Sequence, residues 1–173
     1  VGKNMEVVEV NQTQQEYILA ITELESRIFP DSWSAGSIQE TLENPQAKIW
    51  VAQSPDAEEV LGYVIFYYVL DEGEIARIAT APEYRRQGVA AKLLEKMRVF
   101  SHKKNITRWL LDVRRSNETA IHFYETSGFV QDGIRKNFYA NPIEDAILMS
   151  CEVGNELADL TVLPTGKISA HQV

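Results

Sequence analysis

The sequence predicts an α/β chain of the α+β type, with one mixed, mostly antiparallel central sheet flanked by helices. Extended stretches follow one another between Lys48 and Thr80 with only short turns between them, as in an antiparallel meander. Beyond Val89, helical and extended stretches alternate instead, which brings in other strand directions without the regular βαβ repeat of a doubly wound sheet. A length of 173 residues gives one domain a proper core and is short for two.

Met5 to Val10 is short and Val-rich, a strand. Gln14 to Phe29 has helical spacing, with Ile18, Ile21, Leu24, Glu25 and Ile28 on one face and Glu25 its single polar member. Pro30-Asp31-Ser32 ends that helix. Ser34 is placed to cap a second helix through Leu42, stopped at Asn44-Pro45. Strands follow at Lys48–Gln53 and Val60–Leu70, separated by the polar turn Ser54–Glu59. Asp71-Glu72-Gly73 reads as a turn into the strand Glu74–Thr80. A helix runs from Val89 to about Ser101, then a strand at Thr107–Val113 and a helix at Asn117–Thr126. Phe129–Gln131 starts another strand, and Ala146–Val153 forms the last. Residues 5–153 are the expected domain. Pro164 and Gly166 mark 154–173 as a peripheral or mobile tail.

Hydrophobic residues make up 45% and charged residues 24%, ordinary for a globular chain. A net charge of −8 argues against a nucleic-acid surface and is compatible with a cationic peptide partner. Cys151 is the only cysteine, so no intrachain disulfide is possible and a reducing compartment fits. No apolar run reaches ~18 residues, so no membrane span is expected. Val1 to Met5 lacks the apolar core of a signal peptide, and the cytoplasm is the expected location. His102, His122 and His171 do not cluster, so no metal site is expected.

The most informative segment is Arg85-Arg86-Gln87-Gly88-Val89-Ala90-Ala91, between the Ile75–Thr80 strand and a helix. A helix start gathers unpaired N–H donors and the positive end of the helix dipole, which suits a phosphate group. Gly88 lets those amides approach a ligand closely, and two arginines add charge-assisted donors.

The strand ending Ile78-Ala79-Thr80, followed by Pro82, Arg85-x-x-Gly88-x-Ala90 and an amphipathic helix, resembles the acyl-CoA motif of the GNAT N-acetyltransferases. Leu111-Asp112-Val113-Arg114-Arg115-Ser116-Asn117, then Ala120-Ile121-x-x-Tyr124-Glu125-x-x-Gly128-Phe129, resembles the branch that acetylates protein N-termini. Phe29-Pro30-x-x-Trp33, Lys136-Asn137-Phe138-Tyr139 and Glu144-Asp145-Ala146 extend the likeness to the bacterial enzymes acting on the N-terminal alanine of ribosomal protein S18.

That resemblance implies acetyl-CoA as co-substrate and a protein N-terminus as acceptor, with ribosomal protein S18 foremost. It places the cofactor against Ile78, Ala79, Thr80, the 85–91 turn and Asn117. It implies that Tyr124 supplies a proton to the departing thiolate, and that Trp33, Phe138 and Tyr139 wall the peptide entrance. A base must collect a proton from the amine. Asp112 stands where these enzymes usually carry a glutamate, and Glu74 lies at the head of the preceding strand, assisting or replacing it. Acetylation of a small amine or a lysine side chain, or CoA binding without turnover, are the alternatives. Oligomeric state is not legible.

Overall fold

A computed structural model describes residues 4–154. Its single seven-stranded sheet has the order β1-β2-β3-β4-β5-β7-β6. In chain order the elements are β1 (Glu6–Glu9), α1 (Gln15–Ile28), α2 (Ala35–Glu43), β2 (Ala47–Gln53), β3 (Val60–Val69) and β4 (Glu72–Thr80). A 3₁₀ turn at Pro82–Tyr84 leads to α3 (Val89–Lys103), then β5 (Arg108–Arg114), α4 (Glu118–Thr126), β6 (Val130–Tyr139) and β7 (Glu144–Glu152). Every pairing is antiparallel except β4 with β5. The α+β expectation holds.

Two apolar layers sandwich the sheet. On one face Ile18, Ile21, Leu24 and Ile38 from α1 and α2 meet Ile49, Val51, Tyr63 and Ile65. On the other, Leu93, Leu94 and Met97 of α3 and Tyr124 of α4 meet Trp50, Phe66, Trp109 and Leu111. Ser34 caps α2 as expected, its Oγ accepting from the Ser37 amide at 3.1 Å.

One sequence reading needs correction, and one strand runs further than the residues that announce it. Glu72 and Gly73 belong to β4 rather than to a turn, which is only Leu70-Asp71, with Leu70 at φ +54°. Gly73 is buried there because the Phe66 ring occupies the space of its side chain: a Cβ would lie 2.2 Å from Phe66 Cζ. The strand begun at Phe129–Gln131 continues to Tyr139, as an edge strand whose residues are mostly exposed. It therefore lacks the alternation that marks a half-buried strand. Of the expected tail, residues 155–173 lie outside the described residues.

Candidate active site

The parallel β4–β5 ladder lasts for three residues, Glu72 to Glu74 against Arg108 to Leu110. Beyond it β4 stays on β3 while β5 follows β7 through Arg114↔Ala146, so the two arms form a fork. A bulge in β4 sharpens the divergence: Ile65 pairs with Arg77 but Phe66 pairs with Ile75, leaving Ala76 unmatched. The Ala81 amide bonds to Leu61 O on β3 at 2.8 Å. Alternation along the strand then turns Ala79 toward β3, and the amides of Ile78 and Thr80 toward the open side of the fork.

Below the β4 arm lies the 85–91 turn. Arg86 at φ +64° and Gly88 at φ +81° are both left-handed, which turns successive amides inward in the manner of an anion nest. Gly88 is the N-cap of α3 without a side-chain cap bond. The first amide of that helix end with a protein acceptor is Lys92, on Gly88 O at 3.0 Å. Arg85, Arg86 and Gln87 are exposed around these donors. Gly62 lets α3 approach the sheet: a Cβ there would meet Ala79 O at 2.6 Å and Val89 Cγ1 at 2.7 Å.

Tyr124 and Asp112 approach the fork from opposite faces. Trp109, Leu111 and Val113 of β5 are buried against α3 and α4, so Leu110, Asp112 and Arg114 point toward the α1 and α2 face. Glu74 is exposed and pairs with Tyr67, on that same face. Asp112 lies two residues further along the fork, with Cα atoms roughly 8 Å or more apart from strand geometry. Tyr124 is 7% exposed and packs on Phe129 at 5.4 Å between ring centres. Its hydroxyl has no hydrogen bond within the described residues, and it is not a sealed atom: Arg108 Nε is the only unpartnered buried side-chain atom there. Burial, then the neighbouring Tyr139, pushes the Tyr124 phenol above its ordinary value.

Asn117 caps α4, its Oδ1 accepting from the Ala120 amide at 3.2 Å, which leaves its Nδ2 donors free for a ligand. Burial first, then the Asp112 charge, pushes the Tyr139 phenol up to about 12, with Arg114 and Arg77 opposing. Asp31, between α1 and α2, also raises it, so four charged groups surround that hydroxyl: Asp112 and Arg114 on β5, Arg77 on β4, and Asp31. Phe138 differs from Tyr139: it is 44% exposed and takes the Arg135 guanidinium over its ring at 5.0 Å. The Trp33 amide is fixed on Glu25 Oε2 at 3.1 Å. An open cavity of about 660 Å³ runs past Trp33, lined also by Ser37, Glu40, Thr41 and Tyr67. Neither Asp112 nor Tyr124 lines it, so it neighbours the fork and is not the fork.

The description "Acetyltransferase (GNAT) family" matches residues 18–129. The chain belongs to the GNAT acetyltransferase family. A Bacillus subtilis protein named provisionally as a [ribosomal protein bS18]-alanine N-acetyltransferase is 34% identical over 141 residues, covering 81% of this chain and 92% of that protein. The Escherichia coli K12 [ribosomal protein bS18]-alanine N-acetyltransferase is 37% identical over 97 residues, 55% of this chain and 66% of its own length. The crystal structure of the ribosomal-protein-S18-alanine N-acetyltransferase from Escherichia coli superposes with a TM-score of 0.77 at 28% identity. That superposition covers 87% of this chain and 94% of that one.

Within this GNAT chain, the fold gathers Asp112, Glu74, Tyr124, Tyr139 and the Ile78–Thr80 edge at one fork. It sets Phe138 outward and Trp33 beside a neighbouring cavity. Sequence reasoning missed Arg77 and Arg114, whose partners lie far along the chain. Glu25 carried a signal, as the one polar side chain on the apolar stripe of α1. It is 0% exposed and accepts from Tyr63 Oη at 2.8 Å and twice from Arg77 at 3.0 Å. Burial, then the Glu25 charge, drives the Tyr63 phenol far above its ordinary range. Among the described residues no helix is long and apolar enough to cross a membrane, and no cluster of His, Cys, Asp and Glu is arranged to hold a metal.

Proposed function

We propose that this acetyltransferase moves the acetyl group of acetyl-CoA to the N-terminal amine of a protein, and that its acceptor is the N-terminal alanine of ribosomal protein bS18. The observation that carries the chemistry is the fork, with unpaired Ile78 and Thr80 amides on one arm and Asp112 and Tyr124 approaching from opposite faces. Likeness to relatives named for bS18-alanine acetylation supports the acceptor.

The pyrophosphate rests on the amides opening α3, with Arg85 and Arg86 as charged partners and Asn117 Nδ2 on the arm that follows. The thioester enters the fork and its carbonyl oxygen accepts from the Ile78 or Thr80 amide. Each such donor contributes about 3–4 kcal/mol once charge builds on that oxygen.

An α-amine with a reference pKa of about 7.7–8.0 is mostly protonated at neutral pH, so it must first lose a proton. Asp112 takes that proton, through a water where the shorter aspartate side chain falls short, and Glu74 stands as the second acceptor. The amine nitrogen bonds to the carbonyl carbon and gives up its second proton to solvent, the C–S bond breaks, and the sulfur takes the Tyr124 proton. The phenolate recovers a proton from solvent. Burial that raises the phenol also disfavours a thiolate beside it, which narrows the gap the proton must cross. No covalent acetyl-enzyme is needed.

Acetyl-CoA and a peptide carrying the bS18 N-terminus test the reading, with mass spectrometry locating the acetyl group. Acetyl on the alanine amine is expected. Acetyl on an internal lysine instead, or faster reaction with small amines, shifts the acceptor class. CoA binding without turnover removes the enzyme reading.

A further inference from the structure

Each arm of the fork carries an arginine on the acceptor face, and the two are built alike. Arg77, on β4, donates to Asp31 O at 3.0 Å and stacks its guanidinium on the Phe29 ring at 3.7 Å. Its own carboxylate partner, Glu25, also holds the Trp33 amide. Arg114, on β5, donates to Ala140 O at 3.2 Å and Pro142 O at 3.1 Å, and stacks on the Tyr139 ring at 4.4 Å. Its carboxylate partner, Glu144, accepts from the Ser116 amide at 2.6 Å, tying the turn before α4 to the β6–β7 hairpin.

The repetition goes beyond charge pairing. In both cases the guanidinium donates to backbone carbonyl oxygen in one loop (one for Arg77, two for Arg114), lies over an aromatic ring at that loop, and pairs with a carboxylate. Lysine, a point charge on a flexible stem, cannot make these contacts together. The two gripped segments, 29–33 and 139–142, come near each other at the fork, where the Tyr139 hydroxyl feels the charges of Asp31 and Arg77.

We propose that Arg77 and Arg114 are positioning residues for the acceptor, each fixing one wall of the entrance to one arm of the fork. This rests on the proposed function for what the entrance admits. The arm spacing that receives the thioester then also sets the gap through which the amine arrives. Neither arginine touches the cofactor turn, so losing either one misplaces the acceptor and leaves acetyl-CoA binding intact. A displacement near 1 Å is enough to cost on the order of 10²-fold in kcat/KM for the acceptor.

Arg77→Lys and Arg114→Lys test this in steady-state kinetics with the bS18 N-terminal peptide, alongside acetyl-CoA affinity by calorimetry and hydrogen exchange. The expected result is a peptide KM raised about tenfold or more with acetyl-CoA affinity unchanged. Exchange should quicken at residues 29–33 in the first variant and 139–143 in the second, with α3 unaffected. Equal loss of both affinities, a fall in kcat alone, or unchanged exchange at both walls overturns the proposal. If Arg77→Lys does not fold, Phe29→Leu removes the stacked ring while keeping the Glu25 ion pair, and the same KM split is expected at smaller size. If the wild-type chain acetylates no N-terminus, the proposed function falls by itself. Exchange at the two walls then decides the clamp.

Discussion

Glu25 and Arg77 meet in a two-point contact, Nε on Oε1 and Nη2 on Oε2, both at 3.0 Å, with the carboxylate wholly enclosed. The pair joins the end of α1 to the β4 arm of the fork. Removing one partner strands the other charge in a dry place, which typically costs about 3–5 kcal/mol. Glu25→Ala should lose that much in urea unfolding, and the Glu25→Leu/Arg77→Leu double variant should regain much of it. A double variant as unstable as the sum of the singles would show that the two side chains act independently.

Tyr124→Phe removes a hydroxyl that has no partner within the described residues, so the fold should lose little stability. Acetyl transfer should slow by about 10²–10⁴-fold, the usual worth of a positioned acid, with acetyl-CoA affinity unchanged. Full retention of kcat in the phenylalanine variant would remove Tyr124 from the proton path.

The Gly62 position tests the seating of α3. Gly62→Ala places a methyl 2.6 Å from Ala79 O, a backbone atom that cannot swing away, and 2.7 Å from Val89 Cγ1. Overpacking of this kind costs about 1–3 kcal/mol. The shift lands on the first turn of α3, so acetyl-CoA affinity should fall with stability, in calorimetry and thermal melts alike. A loss of stability with affinity intact would detach the α3 start from the cofactor.

The pH profile follows from the raised phenols. Tyr139 is held protonated to about 12 by burial and then by the Asp112 charge, and Tyr124 is raised as well. An unfolded tyrosine ionises near 10, so unfolding releases protons more readily than the native chain does above that pH. The stability contribution is complete below pH 10 and is lost as pH rises from about 10 to 12. Ultraviolet titration should show these tyrosines ionising only with unfolding. In turnover, kcat/KM should climb through the amine value near ~8 and stay level past pH 9, because Tyr124 keeps its proton. A decline between pH 8 and 9 would point to a different acid.

The parts of the site legible in the sequence are those set by local chain geometry. Gly88 after two arginines at a strand–helix junction predicts the nest because the amides and the dipole come from consecutive residues. Ser34 predicts its own cap for the same reason. The fork was not legible, since it depends on where β5 leaves β4 for β7, a choice between strands distant in sequence. Gly73 was misread because glycine marks both a turn and a crowded strand, and only the Phe66 ring distinguishes them. The start of β6 is legible at Phe129–Gln131 but its extent is not, because both its faces are largely exposed and leave no alternation to detect. The roles of Arg77 and Arg114 depend on partners from other elements, which local sequence does not specify.

Asp112 and Glu74 share the acceptor face, and Asp112, two residues past the last paired step of the β4–β5 ladder, is assigned the proton. Single-turnover acetylation of the bS18 N-terminal peptide by Asp112→Asn and by Glu74→Gln, with acetyl-CoA saturating, isolates that step from binding. The expected outcome is a collapse of the rate in Asp112→Asn and a modest loss in Glu74→Gln. A full rate in Asp112→Asn with collapse in Glu74→Gln would move the base to β4, and full rates in both would leave the fork without the proton acceptor assigned to it.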